Sequence, residues 1–200
     1  ARLTAADMPR RNLVDLVGAE MLLTPGNLRA LARALETSHI EHDALLSCRY
    51  WDLFLQTAIE SGWFRPGSPE CAAVWLHIAE IVERWPKEQV ERARAACSST
   101  NPGDDLYFFD CTELYDRAAT ADPHPDTFRR WYNWERKRGN LQDAEYVAKR
   151  WSKELAGDIE PLLELMESTE GRGAFRKSLS FVEKAEQVDG VNPAVRRARF

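Results

Sequence analysis

Two hundred residues with 44% hydrophobic content make one domain of ordinary size, or one continuous stack of repeats, with ample material for a packed core. A formal charge of −5 argues against a general nucleic-acid binder and leaves only a local basic face open. The longest apolar runs fall far short of the roughly 20 residues that a membrane span needs, and Asp7, Arg10 and Arg11 interrupt any secretory apolar stretch.

Apolar residues recur at helical spacing along almost the whole chain, while alternating β-branched runs do not occur. The pattern predicts helices at 10–22, 26–37, 42–61, 68–84, 87–98, 103–120, 125–138, 141–154, 158–170 and 173–187, and a last one from Pro193. Thr24-Pro25-Gly26, Ser68-Pro69, Asn101-Pro102-Gly103 and Asn192-Pro193 each set a capping residue before a first-turn Pro. Asp158 is placed to cap the helix entering Pro161. Helix 42–61 is the most apolar and is expected at the centre, with a cleaner one-sided face on 68–84 and Trp63-Phe64 wedged between the two. No linker exceeds about six residues, so residues 1–200 are expected to form a single array.

The close pair His39 and His42 has no third metal ligand and reads as a solvated cap. His77 reads as a hydrogen-bonded, partly buried side chain, and His124 as a plain loop residue between two prolines. Cys48, Cys71, Cys97 and Cys111 are widely spaced in apolar helical contexts. They are expected to be buried free thiols in a reducing, intracellular setting. No phosphate loop, nucleophile elbow, zinc motif or calcium loop is present. The expectation is no enzyme, no cofactor and no metal.

The strongest signal is an echo with a period of 34 residues. Phe128, Trp131, Gly139, Ala144, Ala148 and Trp151 recur as Leu162, Leu165, Gly173, Ser178, Val182 and Ala185. Each copy is an apolar helix, a Gly-containing break and a second apolar helix, which must pack on neighbours to bury its face. Gly139 and Gly173 are expected to avoid a Cβ clash at the turn, and Ala144 and Ser178 to let the hairpin helices cross closely. A weaker third copy ends LYDRAATADP, one residue out of register.

Segments 125–157 and 159–190 resemble tetratricopeptide repeats, the tail FVEKAEQVD most closely. The resemblance covers about residues 101–200, and residues 1–98 show only generic helical hairpins. The first copy is also similar to the half-a-TPR variant of RNA-processing scaffolds, through Phe128, Trp131, Glu135, Gly139-Asn140 and Ala144. It departs from that variant in having Glu145 where Arg is usual, and the second copy has Thr169 where Glu is expected. The fold implied is all-α, antiparallel helical hairpins stacked as an α-solenoid with a right-handed superhelical tendency.

Charge is segregated along the repeat region. Residues 101–126 hold seven acids against one Arg, and residues 127–153 hold eight Lys/Arg against three acids. Either adjacent helices neutralise one another, or the basic stretch is a face for acidic peptide or phosphate. The resemblance implies that the first helix of each pair lines a groove. That selects Asp126, Arg129, Asn133 and Arg136 from one copy and Glu160, Leu163, Glu167 and Glu170 from the next. Arg129 and Asn133 resemble half of a carboxylate clamp, which Glu164 and Glu167 leave incomplete. The function implied is a non-catalytic scaffold or adaptor that takes a partner peptide or helix in a mixed-charge groove. Two alternatives stand beside it: an RNA-processing scaffold touching phosphate through the basic face 127–153, and a helical accessory domain of a larger enzyme. AVRRARF after Asn192-Pro193 reads as a repeat cut short at Phe200, so the chain is expected to be a fragment or to self-associate.

Overall fold

The computed structural model describes residues 24–37, 41–85 and 110–199, with the side chains of 41–45 left out of account. All regular structure among them is α-helical: α1 (Pro25–Glu36), α2 (Glu41–Glu60), α3 (Pro69–Glu83), α4 (Cys111–Ala121), α5 (Pro125–Lys137), α6 (Leu141–Glu154), α7 (Glu160–Glu170), α8 (Phe175–Asp189) and α9 (Pro193–Ala198). None of them is long and apolar enough to cross a membrane. The helices expected at 10–22 and 87–98, His39 and Cys97 lie outside the described residues. The chain divides into two compact units, Ala1–Asp122 and Pro123–Phe200.

In the first unit α1 packs on α2, α2 on α3, and α3 on α4. Thr24 caps α1, its hydroxyl accepting from the Asn27 amide, with Pro25 in the first turn. Helix α2 sits between α1 and α3 as its composition requires, burying Ser47, Cys48, Trp51, Phe54, Leu55 and Ala58. Helix α3 is broader-faced than its sequence suggests. Cys71, Val74, Ile78 and Ile81 are buried together with Ala72, Ala79 and Val82, because α2 and α4 cover it from two sides. At the turn after α2 only Phe64 wedges inward, edge-on to Phe54 at 5.7 Å, while Trp63 stays 61% exposed.

His77 is hydrogen-bonded and partly buried as expected. Its Nε2 lies 2.6 Å from Glu36 Oε1, and its ring stands edge-on to Trp51, whose indole N–H donates to the same carboxylate. Cys48, Cys71 and Cys111 are buried thiols outside any disulfide. Burial pushes the Cys48 thiol up to about 12, so at neutral pH it behaves as a small apolar side chain. Helix α4 corrects the predicted helix 103–120. Asp110 is extended and caps the helix, its Oδ1 accepting from the Thr112 amide at 3.0 Å, so no continuous helix passes through residue 110.

The second unit carries the 34-residue echo into three dimensions. Helices α5 to α9 pack in chain order, each on the next, and residues 125–189 form two tetratricopeptide-like antiparallel hairpins, α5–α6 and α7–α8. Every apolar partner in the echo is buried: Phe128 with Leu162, Trp131 with Leu165, Ala148 with Val182, and Trp151 with Ala185. The small residues Ala144 and Ser178 are buried at the crossings as well. Phe128 stacks on Trp131 and Trp151 at centroid distances of 6.5 and 6.1 Å, filling the first hairpin with aromatic rings.

Backbone punctuation repeats with the same period. Gly139 and Gly173 have φ of +78° and +74°. The Asn140 amide bonds back to the Glu135 carbonyl at 3.0 Å, and the Ala174 amide to the Thr169 carbonyl at 2.9 Å; this is the Schellman ending of a helix. A Cβ built on either glycine meets nothing within 4 Å, so the turn needs glycine for its left-handed φ and not to avoid a clash. Side-chain caps recur too. His124 Nδ1, Asp158 Oδ1 and Asn192 Oδ1 accept from the amides of Asp126, Glu160 and Ala194 at 3.2, 3.0 and 2.9 Å. His124 is therefore a helix cap and not the plain loop residue expected from its neighbouring prolines.

Candidate functional site

The residues selected from sequence fall on α5 and α7 of the second unit, and the structure separates them into two ends. Near the helix starts, Arg129 is fully engaged. Its Nε and Nη2 form a fork on Glu160 at 2.6 and 2.5 Å, and Nη1 reaches Asp126 at 2.5 Å. The hydrogen bonds to Glu160 raise the Arg129 pKa above its already high ordinary value. Bidentate geometry of this kind fixes one helix against its neighbour. Arg129 thus ties α5 to α7 through Glu160, and a ligand would have to displace Glu160 to reach it. Asn133 and Glu170 are exposed and Leu163 is half-buried.

Near the helix ends the arrangement opens. A cleft of about 450 Å³ is lined by Tyr132 and Arg136 from α5, Leu141, Gln142, Ala144 and Glu145 from α6, Glu167, Ser168 and Gly171 at the end of α7, and Arg172. Arg136 is held loosely. One contact of 3.3 Å joins its Nη1 to Glu164, a hydrogen bond joins it to the Tyr132 phenol, the guanidinium lies 5.7 Å from the Tyr132 ring centroid, and the side chain is 49% exposed. Burial and the hydrogen bond to Glu164 raise the Tyr132 phenol above its usual range, keeping it neutral and able to donate. Glu167 is exposed on the opposite wall.

The back of the cleft is built on Glu145, a carboxylate only 8% exposed. Lys149 reaches it at 2.8 Å from one turn later, Arg172 at 2.5 Å and Lys177 at 3.6 Å. The hydrogen bond from Lys149, with that from Arg172, overcomes burial and holds its pKa down to about 2. One buried anion is thus matched to three half-exposed cations.

Of the eight residues chosen from sequence, Arg136 and Glu167 line this cleft, whereas Asp126, Arg129 and Glu160 pair with one another at the other end. Tyr132, Leu141, Gln142, Glu145 and Arg172 were missed, because the repeat pattern assigns helix starts and turns only to hairpin closure. Glu145 did carry a signal, standing where the half-repeat pattern expects Arg and four residues before Lys149. Apart from Asp126, the recorded partners of Arg129 and Arg136 are Glu160 and Glu164, farther along the chain.

No protein-family model matches this sequence, and no curated protein matches it. Among solved structures the chain is similar to YrrB, described as "a TPR protein with an unusual peptide-binding site", at 12% identity and a TM-score of 0.41. That likeness covers 94% of this chain and 89% of the other.

Proposed function

We propose that the second unit is a non-catalytic protein-interaction scaffold that takes a partner peptide or helix along α5 and α7, anchored in the cleft at their C-terminal ends. The observation that carries this is the contrast between two arginines on one helix. Arg129 is locked by three contacts to two carboxylates, whereas Arg136 has one 3.3 Å contact to a carboxylate, leans on the Tyr132 side chain and borders a cleft. Half-exposed Arg beside Tyr is the composition of a binding anchor. A partner carboxylate would meet Arg136 and the Gln142 amide, and a partner cation or amide would meet Glu167. Leu141, 64% exposed, supplies apolar contact at the rim. Asn133, Leu163 and Glu170 would extend the groove along the two helices, with Asp126 and Glu160 at its far, pre-neutralised end.

A random-peptide display selection on the purified chain tests the proposal. The expected result is a family of sequences pairing a carboxylate with an apolar residue, bound at least about tenfold more weakly by Arg136→Glu. Selected peptides indifferent to Arg136→Glu and Glu167→Lys would overturn it.

A further inference from the structure

A second surface lies on α8, beside the cleft, with which it shares Arg172 at its border. Phe175 and Leu179 sit one turn apart on this helix and are 67% and 54% exposed, so their side chains form one apolar row. Phe175 stands 34 residues after Leu141, which is likewise apolar and 64% exposed, but Leu179 departs from its counterpart. Leu179 stands 34 residues after Glu145, which is buried to 8% with Arg172 and Lys177 of the next hairpin upon it. An apolar side chain therefore stands open where the preceding copy holds a covered carboxylate.

The border of the row toward the helix start is basic, and the exposed Glu183 follows Leu179 one turn later. Residues 171–177 contain Arg172, Arg176 and Lys177 and no acid, and all three cations are exposed. Arg172 and Lys177 share their one carboxylate, Glu145, with Lys149, which leaves positive charge in excess.

We infer that the Phe175–Leu179 face docks an acidic amphipathic helix of a partner protein. The partner's apolar stripe covers Phe175 and Leu179, and its flanking carboxylates meet Arg172, Arg176 and Lys177. Complementary charge sets the orientation and the apolar pair supplies the anchor. This assignment does not depend on the α5–α7 groove.

The test uses a synthetic helix of about four turns, with leucines at i, i+4 and i+7 flanked by glutamates, and a copy with lysines in place of the glutamates. Fluorescence anisotropy should show binding of the acidic peptide that weakens with salt, and no comparable binding of the basic one. Phe175→Asp/Leu179→Asp should weaken the acidic peptide at least about tenfold, as should Arg176→Glu/Lys177→Glu. Both apolar positions are exposed, so an unchanged far-UV spectrum certifies the variants. Equal binding of the two peptides, or affinity that survives the Phe175/Leu179 double variant, overturns the inference. So does a wild-type dimer in sedimentation that Phe175→Asp dissociates, since the occupant would then be a second copy.

Discussion

Glu145 offers the sharpest handle on the second unit, because its carboxylate is buried and its partners are not. Lys149 and Arg172 hold its pKa at about 2, against an ordinary value of 4.5. At about 1.4 kcal/mol per unit this corresponds to roughly 3 kcal/mol as a ceiling, and solvent screening of the half-exposed cations brings the expected contribution to about 1.5–3 kcal/mol. The folded pKa lies below the unfolded one, so the stabilisation is complete above about pH 5 and fades as pH falls toward 2. Glu145→Gln abolishes this titration while keeping shape. Urea denaturation followed by circular dichroism at 222 nm, for both proteins from pH 7 to pH 2, measures the difference directly. The gap between them should be widest at neutral pH and close by about pH 2. A gap that stays constant across that range would refute the electrostatic origin and leave only packing.

Trp151→Ala should destabilise the second unit by about 3–5 kcal/mol, since the ring is fully buried against Phe128. Trp151→Phe should cost less, losing chiefly the 3.0 Å indole hydrogen bond to Asp158. A cost below about 1 kcal/mol for the alanine variant in equilibrium unfolding would contradict that packing. Gly139→Ala and Gly173→Ala should each cost about 1–2 kcal/mol through the left-handed φ alone. Gly157→Ala, where φ is not positive and a Cβ meets open space, should stay within about 0.5 kcal/mol by the same assay.

Much of this architecture was legible because helix ends are decided locally. A Pro after a capping Thr or Asn sets the starts of α1 and α9, a first-turn Pro marks those of α3 and α5, and the glycines fix the turns after α5 and α7, all within a few residues of sequence. The echo was legible because burial repeats with the packing unit, and Phe128, Ala144 and Trp151 are buried with their counterparts. Charge pairing was not legible. Arg129 meets Glu160, Arg136 meets Glu164 and Arg172 meets Glu145 across 27 to 31 residues, and which carboxylate each arginine takes depends on how neighbouring helices face one another. The same limit hid the cleft, whose walls come from two helix ends, one helix start and a turn. Glu145 shows it most clearly: an acid in a repeat pattern says nothing of the three cations that fold onto it.

The groove on α5 and α7 is tested most directly by a reciprocal charge swap at Arg136. The peptide best retained in the display selection is resynthesised with its essential carboxylate replaced by lysine, and both peptides are titrated against wild type and Arg136→Glu by isothermal calorimetry. Contact in the cleft predicts that each single change weakens binding and that the two together restore it, with a coupling of at least about 1 kcal/mol. Additive losses with no recovery would show that the carboxylate never faced Arg136, and that the partner binds elsewhere.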